Sequence, residues 1–314
     1  MTLTVGVDVG GTKIAAGVVD ETGTILEKLR KASPTTDELS LLKAIRELVG
    51  ELRTRHEIAA VGVGAPGFIG ADRRSVLFTP NLPWRDEPLA ELLERVLELP
   101  VLIENDANAA AWAEHVFGAG QGIPDQLLLT LGTGVGGGLV LGGEVYRGGH
   151  GVAAEVGHLT VVRDGIPCPC GRHGCLEQYA WGSARVREAR SAAATGRAPA
   201  LLEAAGGNPT LVTGAMVTEH AKAGSPEAVA LFEEMAEALA VGIGSLIAVV
   251  DPSLVLLGGG VSEAGDLILK PTTAALDREL TGGTHRPGPE VRLAALGNDA
   301  GLIGAADEAR RMVP

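Results

Sequence analysis

The chain reads as an α/β protein made of two duplicated halves. Apolar, β-branched runs alternate with segments of helical spacing along most of its length. A strand, a glycine turn and a second strand occur twice, as LTVGVDVGGTKIAAGVVD from residue 3 and LLLTLGTGVGGGLVLGGEVYRGG from residue 127. An Asn-Asp-Ala step opens a helix twice as well, at 105–107 and 298–300. Two such halves are expected to form two lobes around a cleft.

The elements follow in order. The opening run is a hairpin with strands near 3–9 and 13–20, folded at Gly10-Gly11. DELSLLKAIRELVGELRTR carries apolar residues at helical spacing from Leu39 to Leu52. IAAVGVGAPGFI is a strand entering a Gly/Pro turn. EPLAELLERVLE is a short amphipathic helix, VLIE a strand, and DANAAAWAEHVFGAG an alanine-rich helix. A second unit begins near 119 with the second hairpin. Later, Ser225-Pro226 opens a long helix, with the serine suited to the N-cap and the proline to the first turn. That helix leads through VGIGSLIAVV to a strand, LVLL, and to Gly258-Gly259-Gly260. The expected domains are 1–118 plus 299–314 as a small lobe and 119–298 as a large one.

Composition narrows the function. A chain of 314 residues exceeds the usual single-core size, which agrees with two domains. The net charge of -13 disfavours nucleic acid and membrane surfaces as partners, because both require basic patches. No apolar run reaches membrane-spanning length, and no basic and apolar leader opens the chain, so a cytoplasmic location is expected. Aromatic residues make up only 3%, which leaves the core to Ala, Val, Leu and Ile.

Glycine supplies the first candidate site. Gly132, Gly134 and Gly137 satisfy G-x-G-x-x-G, but a strand follows them where the dinucleotide motif requires a helix. Gly10-Gly11-Thr12-Lys13 lacks the upstream glycine of a Walker A loop. What is left is two tight hairpin turns whose backbone N–H groups suit phosphate oxygens, helped by Thr12, Thr133 and the charge of Lys13. Asp8 beside the first turn is placed to hold Mg²⁺, directly or through water. Gly258 and Gly259 after a later strand form a third such turn. Taken singly, each turn is as well read as an ordinary hairpin.

Cysteine supplies the second. All three cysteines fall within CPCGRHGC, as Cys168, Cys170 and Cys175. Three thiolates within reach of one ion suit Zn²⁺, whose tetrahedron calls for a fourth ligand. His158, His173 and His150 are candidates, and spacing does not choose among them. Reduced buried cysteines or a redox-sensing cluster are the alternatives. Three cysteines and a histidine leave no open position, so the zinc is expected to be structural rather than catalytic.

VGVDVGGTKI, LGTGVGGG, EVGH and CPCGRHGCLEQ, in that order, resemble the ROK family of sugar kinases and repressors. The likeness runs from the first strand to the last helix, and AWAEHVFGAG looks most like the bacterial glucokinase branch. The resemblance implies a two-lobed actin/hexokinase-like ATPase fold with duplicated ribonuclease H-like halves and a zinc loop in the larger domain. It implies ATP-dependent phosphorylation of the 6-hydroxyl of glucose with Mg²⁺. It also implies phosphate binding by Asp8, Gly10, Gly11, Thr12, Lys13, Gly132, Thr133, Gly134, Gly258 and Gly259.

The residues leave Asp106 open between a helix N-cap and a general base, its ionised form favoured by the helix N-terminus. Asp299 occupies the equivalent place in the second Asn-Asp-Ala step. The resemblance gives the base to Asp106 and leaves Asp299 as a cap. It further implies sugar contacts at Gly67, Asn81, Asn105, Asp106, Glu155, His158 and Glu177. Zinc would then be held by His158, Cys168, Cys170 and Cys175, with His173 facing solvent or the loop backbone. Homodimers or homotetramers are implied too.

One departure is Trp181, where the family usually carries a small residue: facing the cleft it would narrow the pocket or alter sugar choice, and facing a subunit interface it would be only an anchor. Other members phosphorylate N-acetylglucosamine, N-acetylmannosamine, mannose or fructose, and some use polyphosphate. A sugar-sensing repressor is the rival reading. It would carry an N-terminal helix-turn-helix, whereas here the first strand starts by residue 3.

Overall fold

The computed structural model describes residues 2–34, 37–79, 82–132, 134–180 and 182–313, the side chain of Thr284 excepted. Asn81, Thr133 and Trp181 lie outside the described residues.

The chain opens with β1 (Thr4–Val9) and β2 (Lys13–Val19), an antiparallel hairpin that β3 (Ile25–Ala32) extends. Helix α1 (Glu38–Arg53) is capped by Asp37, whose carboxylate accepts from Ser40 N–H, and it buries Leu41, Ile45, Leu48 and Leu52 along one stripe. β4 (Ala60–Ala65) lies parallel to β1. The short strands β5 (Phe68–Ile69), β6 (Val76–Phe78) and β7 (Arg85–Glu87) form a small antiparallel sheet of their own. Helix α2 (Leu89–Leu97), strand β8 (Val101–Asn105), parallel to β4, and helix α3 (Asp106–Val116) follow.

The second hairpin is β9 (Gln126–Leu131) and β10 (Val135–Leu141), continued by β11 (Glu144–Val145). A 3₁₀ turn at Val156–His158 precedes the cysteine loop. Five helices come next: α4 (Glu177–Ala180), α5 (Gly182–Ala194), α6 (Pro199–Ala204), α7 (Gly214–Lys222) and the long α8 (Pro226–Val250). β12 (Leu254–Gly258), α9 (Asp266–Glu279), β13 (Glu290–Leu293) and α10 (Ala300–Arg310) complete the chain.

The duplication read from the hairpins is present in the strand orders. One five-stranded sheet runs β3-β2-β1-β4-β8 and the other β11-β10-β9-β12-β13. Numbered within its own half, each is 3-2-1-4-5. The first sheet carries fully buried valines, Val5, Val7, Val61 and Val63, as strands covered on both faces should.

Helix α10 lies so close to that sheet that glycine is required beneath it. A Cβ on Gly6 would sit 1.9 Å from Leu302 O, and one on Gly62 would sit 1.8 Å from Ala305 O. Gly304, on the helix itself, meets Ala109 O of α3 at 1.8 Å in the same way.

Two capping expectations are corrected. Ser225 stands at the N-cap of α8, but its side chain makes no cap hydrogen bond. Asp299 stands at the N-cap of α10 and likewise makes no cap hydrogen bond; its carboxylate is paired with Lys28 instead. A charge-assisted contact outcompetes a neutral N–H donor there.

The chain divides into two compact units. The first is Met1–Leu128, Gly138–Ala154 and Ala295–Pro314; the second is Leu129–Gly137 and Glu155–Ala294. Residues 119–128 and 138–154 thus pack with the first unit, where the sequence reading opened the second lobe at 119. The reason is local: Glu114 of α3 accepts from Ala119 N–H, and a Cβ on Gly138 would lie 2.5 Å from Ala111 of the same helix. Among the described residues no helix is long and apolar enough to cross a membrane.

Candidate functional site

In the first unit, the functional side chains gather where β1, β8 and α10 end or begin. Asp8 lies near the end of β1, opposite Ala15 on one side and Gly64 on the other. The turn beyond it closes with Gly10 N–H donating to Lys13 O at 3.0 Å, which removes one of the N–H groups expected to face a phosphate. Gly11, Thr12 and Lys13 are exposed, and a Cβ on Gly11 would meet nothing within 4 Å.

Asp106 is the first residue of α3, and Asn105 is the cap. Asn105 Oδ1 accepts from the N–H groups of Ala107 at 2.9 Å and Asn108 at 3.0 Å. Its Nδ2 donates to Gly67 O at 3.1 Å, and no acceptor for its second amide hydrogen is present among the described residues. Gly67 has φ of 98°, and a Cβ there would lie 2.2 Å from Phe78 O. Only glycine fits that position.

The helix N-terminus was expected to favour ionised Asp106. The opposite effect wins: burial, reinforced by the negative charge of Asp8, pushes its pKa up to about 6. Hydrogen bonds from backbone N–H groups, including Ala107 at 2.8 Å, oppose the rise without cancelling it. Such a group is mostly ionised at neutral pH and is a stronger base than an ordinary aspartate. Asp8 is also raised, by burial first, with Lys13 and Lys28 pulling it down and Asp299 pushing it up.

Two cations beside Asp8 had escaped the sequence reading. Asp8, Lys13, Lys28, Arg30, Asn298 and Asp299 line one small cavity. In the β2–β3 register Arg30 faces Ala15 and Lys28 faces Gly17, which puts both on the face of Lys13. The alternation of charge at 28 and 30 was the available signal.

In the second unit the cysteine loop closes on His158. The ligand atoms of His158, Cys168, Cys170 and Cys175 all lie within 4.8 Å of one another. His158 Nδ1 is 3.7 Å from Cys168 Sγ, and the sulfurs of Cys170 and Cys175 are 3.6 Å apart. Ligands on a tetrahedral zinc stand about 3.5–3.8 Å from one another; these two separations match, and the donor set suits that ion. His173 and His150 are exposed and do not join the cluster. The Cys168 thiol donates to Glu177 Oε1 at 3.0 Å, and burial together with that bond pushes the thiol up. A bound cation reverses this by favouring thiolate.

The loop and the second glycine turn meet. Glu177, at the start of α4, also comes within 3.7 Å of His158 Nδ1, and a Cβ on Gly134 would lie 3.4 Å from its other oxygen. Gly132 N–H closes the turn on Gly134 O at 3.0 Å. Gly259, with φ of 77°, packs against Leu131, where a Cβ would be 2.7 Å from the backbone. Gly258 ends β12 beside it. Glu155 caps the 3₁₀ turn, its carbonyl accepting from His158 N–H at 3.0 Å.

The model of the ROK family matches residues 4–311. The chain is 48% identical to a glucokinase of Streptomyces coelicolor over 316 residues, spanning 100% of this chain and 99% of that protein. A ROK family glucokinase from Streptomyces griseus, solved in complex with glucose and AMPPNP, matches with a TM-score of 0.89 at 48% identity, covering 98% of this chain and 99% of that one. A ROK hexokinase from Thermus thermophilus matches with a TM-score of 0.82 at 38% identity, with 99% of both chains covered.

Proposed function

Since the chain belongs to the ROK family, we infer that it is a sugar kinase that transfers a phosphoryl group from ATP to the 6-hydroxyl of glucose. The full-length likeness to glucokinases carries this reading.

Phosphoryl transfer asks the protein mainly to position phosphates and acceptor and to take one proton. Asp106 takes the proton of the 6-hydroxyl as its oxygen bonds to phosphorus and ADP departs. Phosphate oxygens are assigned to the turn of Gly10, Gly11, Thr12 and Lys13, through its exposed residues Gly11, Thr12 and Lys13 because the Gly10 N–H closes the turn, and to Gly132, Thr133 and Gly134, with Gly258 and Gly259. Mg²⁺ arrives with ATP, and Asp8 is the carboxylate assigned to it. Sugar hydroxyls are assigned to Gly67, Asn81, Asn105, Asp106, Glu155, His158 and Glu177. A site that hydrogen-bonds each hydroxyl rejects sugars that leave a buried partner unpaired.

His158, Cys168, Cys170 and Cys175 would hold a zinc ion, which would supply a cross-link rather than chemistry, since four protein ligands leave no open position. Its ligands would thereby tie the segment carrying Glu155 to the one carrying Glu177. A homodimer or homotetramer in the cytoplasm completes the proposal. A coupled assay of ADP release over a panel of hexoses and phosphoryl donors tests it. Glucose with ATP should give the highest kcat/KM. Preference for another hexose, or for polyphosphate, would redirect the substrate assignment.

A further inference from the structure

Glu104, immediately before the Asn105–Asp106 turn, is 2% exposed and bonded on every side. Its Oε1 accepts from the backbone N–H of Asn105 at 3.0 Å and from Asn108 Nδ2 at 3.2 Å. Its Oε2 accepts from Arg147 Nε at 2.8 Å and lies 3.0 Å from Arg73 Nη2. The two arginines are shared with a second buried carboxylate, Glu308 of α10: Arg73 reaches Glu308 Oε2 at 2.9 Å and Arg147 reaches Oε1 at 2.8 Å. Two carboxylates and two guanidinium groups thus form a charge-balanced square. Arg73 also holds the same strand through its backbone, its carbonyl accepting from Ile103 N–H at 3.0 Å.

We propose that Glu104, clamped by Arg73 and Arg147, is a positioning residue for the Asn105–Asp106 turn in the sugar kinase reaction. The proposal rests on the kinase reading above. One oxygen of Glu104 fixes the start of α3 while the other is locked to the arginines, so the charge network is transmitted to the backbone that carries Asp106. An ionised carboxylate accepts on both oxygens, whereas an amide accepts on one and donates on the other. In Glu104→Gln, either the arginines or the Asn105 and Asn108 donors therefore face a donor. Glu308 makes the same arginine contacts, and no bond from it to the turn is present among the described residues.

The experiment compares Glu104→Gln with Glu308→Gln in the full chain. Both should lower Tm, since each disturbs the buried square. Glu104→Gln alone should lower kcat at saturating glucose and ATP, by about tenfold or more, as misplacement of a reacting group by a fraction of an ångström does. Glu308→Gln should stay within about threefold of the parent. Amide hydrogen exchange is measured alongside: the Asn105 N–H should exchange faster in Glu104→Gln and not in Glu308→Gln. Equal kcat and equal Asn105 exchange in the two variants would overturn the proposal. A parent chain inactive on every hexose would instead sink the kinase reading, and the exchange data would still decide whether Glu104 holds the turn. Should Glu104→Gln fail to fold, Asn108→Ala removes one turn-side bond and leaves the arginines; an unchanged kcat and unchanged Asn105 exchange there would overturn the proposal equally.

Discussion

His158 Nδ1 stands 3.7 Å from Cys168 Sγ, a ligand-to-ligand separation expected around a tetrahedral zinc. Metal analysis should give about one zinc per chain. Cys170→Ser and His158→Ala should lose that zinc and lower Tm, because metal binding in such a loop is folding free energy. His173→Ala should keep both. Zinc retained by His158→Ala and lost by His173→Ala would reverse the assignment.

Asp106 predicts a cost in stability of known sign. Its folded pKa, about 6, lies above the ordinary 3.8, so the folded state binds the proton more tightly than the unfolded chain. Stability from this group is full below pH about 3.8 and is lost as pH rises through about 6. Asp106→Asn should therefore raise Tm at pH 7.5 by roughly 2–5 °C, a gain that shrinks between pH 6 and 3.8. In the parent, kcat/KM should fall on the acid side with an apparent pKa near 6. Calorimetry across pH checks the first expectation and a pH–rate profile the second; a destabilised variant would contradict the burial argument.

Asp299 separates the two Asn-Asp-Ala steps. Its carboxylate is committed to Lys28, so Asp299→Asn should lower kcat by less than about tenfold, well short of the loss expected for a general base. A loss as large as that of Asp106→Asn would reopen the choice of base.

Gly62 tests the packing of α10. Its missing side chain leaves room for Ala305 O, 1.8 Å from where a Cβ would stand. Gly62→Ala should cost about 3 kcal/mol or more in denaturant unfolding, whereas Gly50→Ala, with nothing within 4 Å on α1, should be neutral or stabilising. Equal stability of the two variants would mean that α10 sits elsewhere.

What the sequence shows and hides follows from distance along the chain. The β1–β2 hairpin was legible because its strands and turn are contiguous, and α1 because its stripe repeats every three or four residues. The duplication was legible because one strand–glycine turn–strand unit recurs, whereas the order of strands in each sheet is shown only by the fold. The sign of the Asp106 shift was missed because the helix terminus is adjacent in sequence, while its burial, and after that the charge of Asp8 from β1, arise only from the fold. Glu104, Arg147 and Glu308 come from three separate stretches, and no periodicity links them. The same logic decides the fourth metal ligand, where His173 is nearer in sequence and His158 nearer in space.

Glucose phosphorylation with Asp106 as the proposed base comes down to one comparison. The most direct measurement is kcat for glucose and ATP in the parent and in Asp106→Asn, with glucose binding followed by calorimetry in both. The parent should form glucose 6-phosphate, and Asp106→Asn should still bind glucose with kcat lower by about a hundredfold or more. An undiminished kcat in Asp106→Asn would contradict Asp106 as the base.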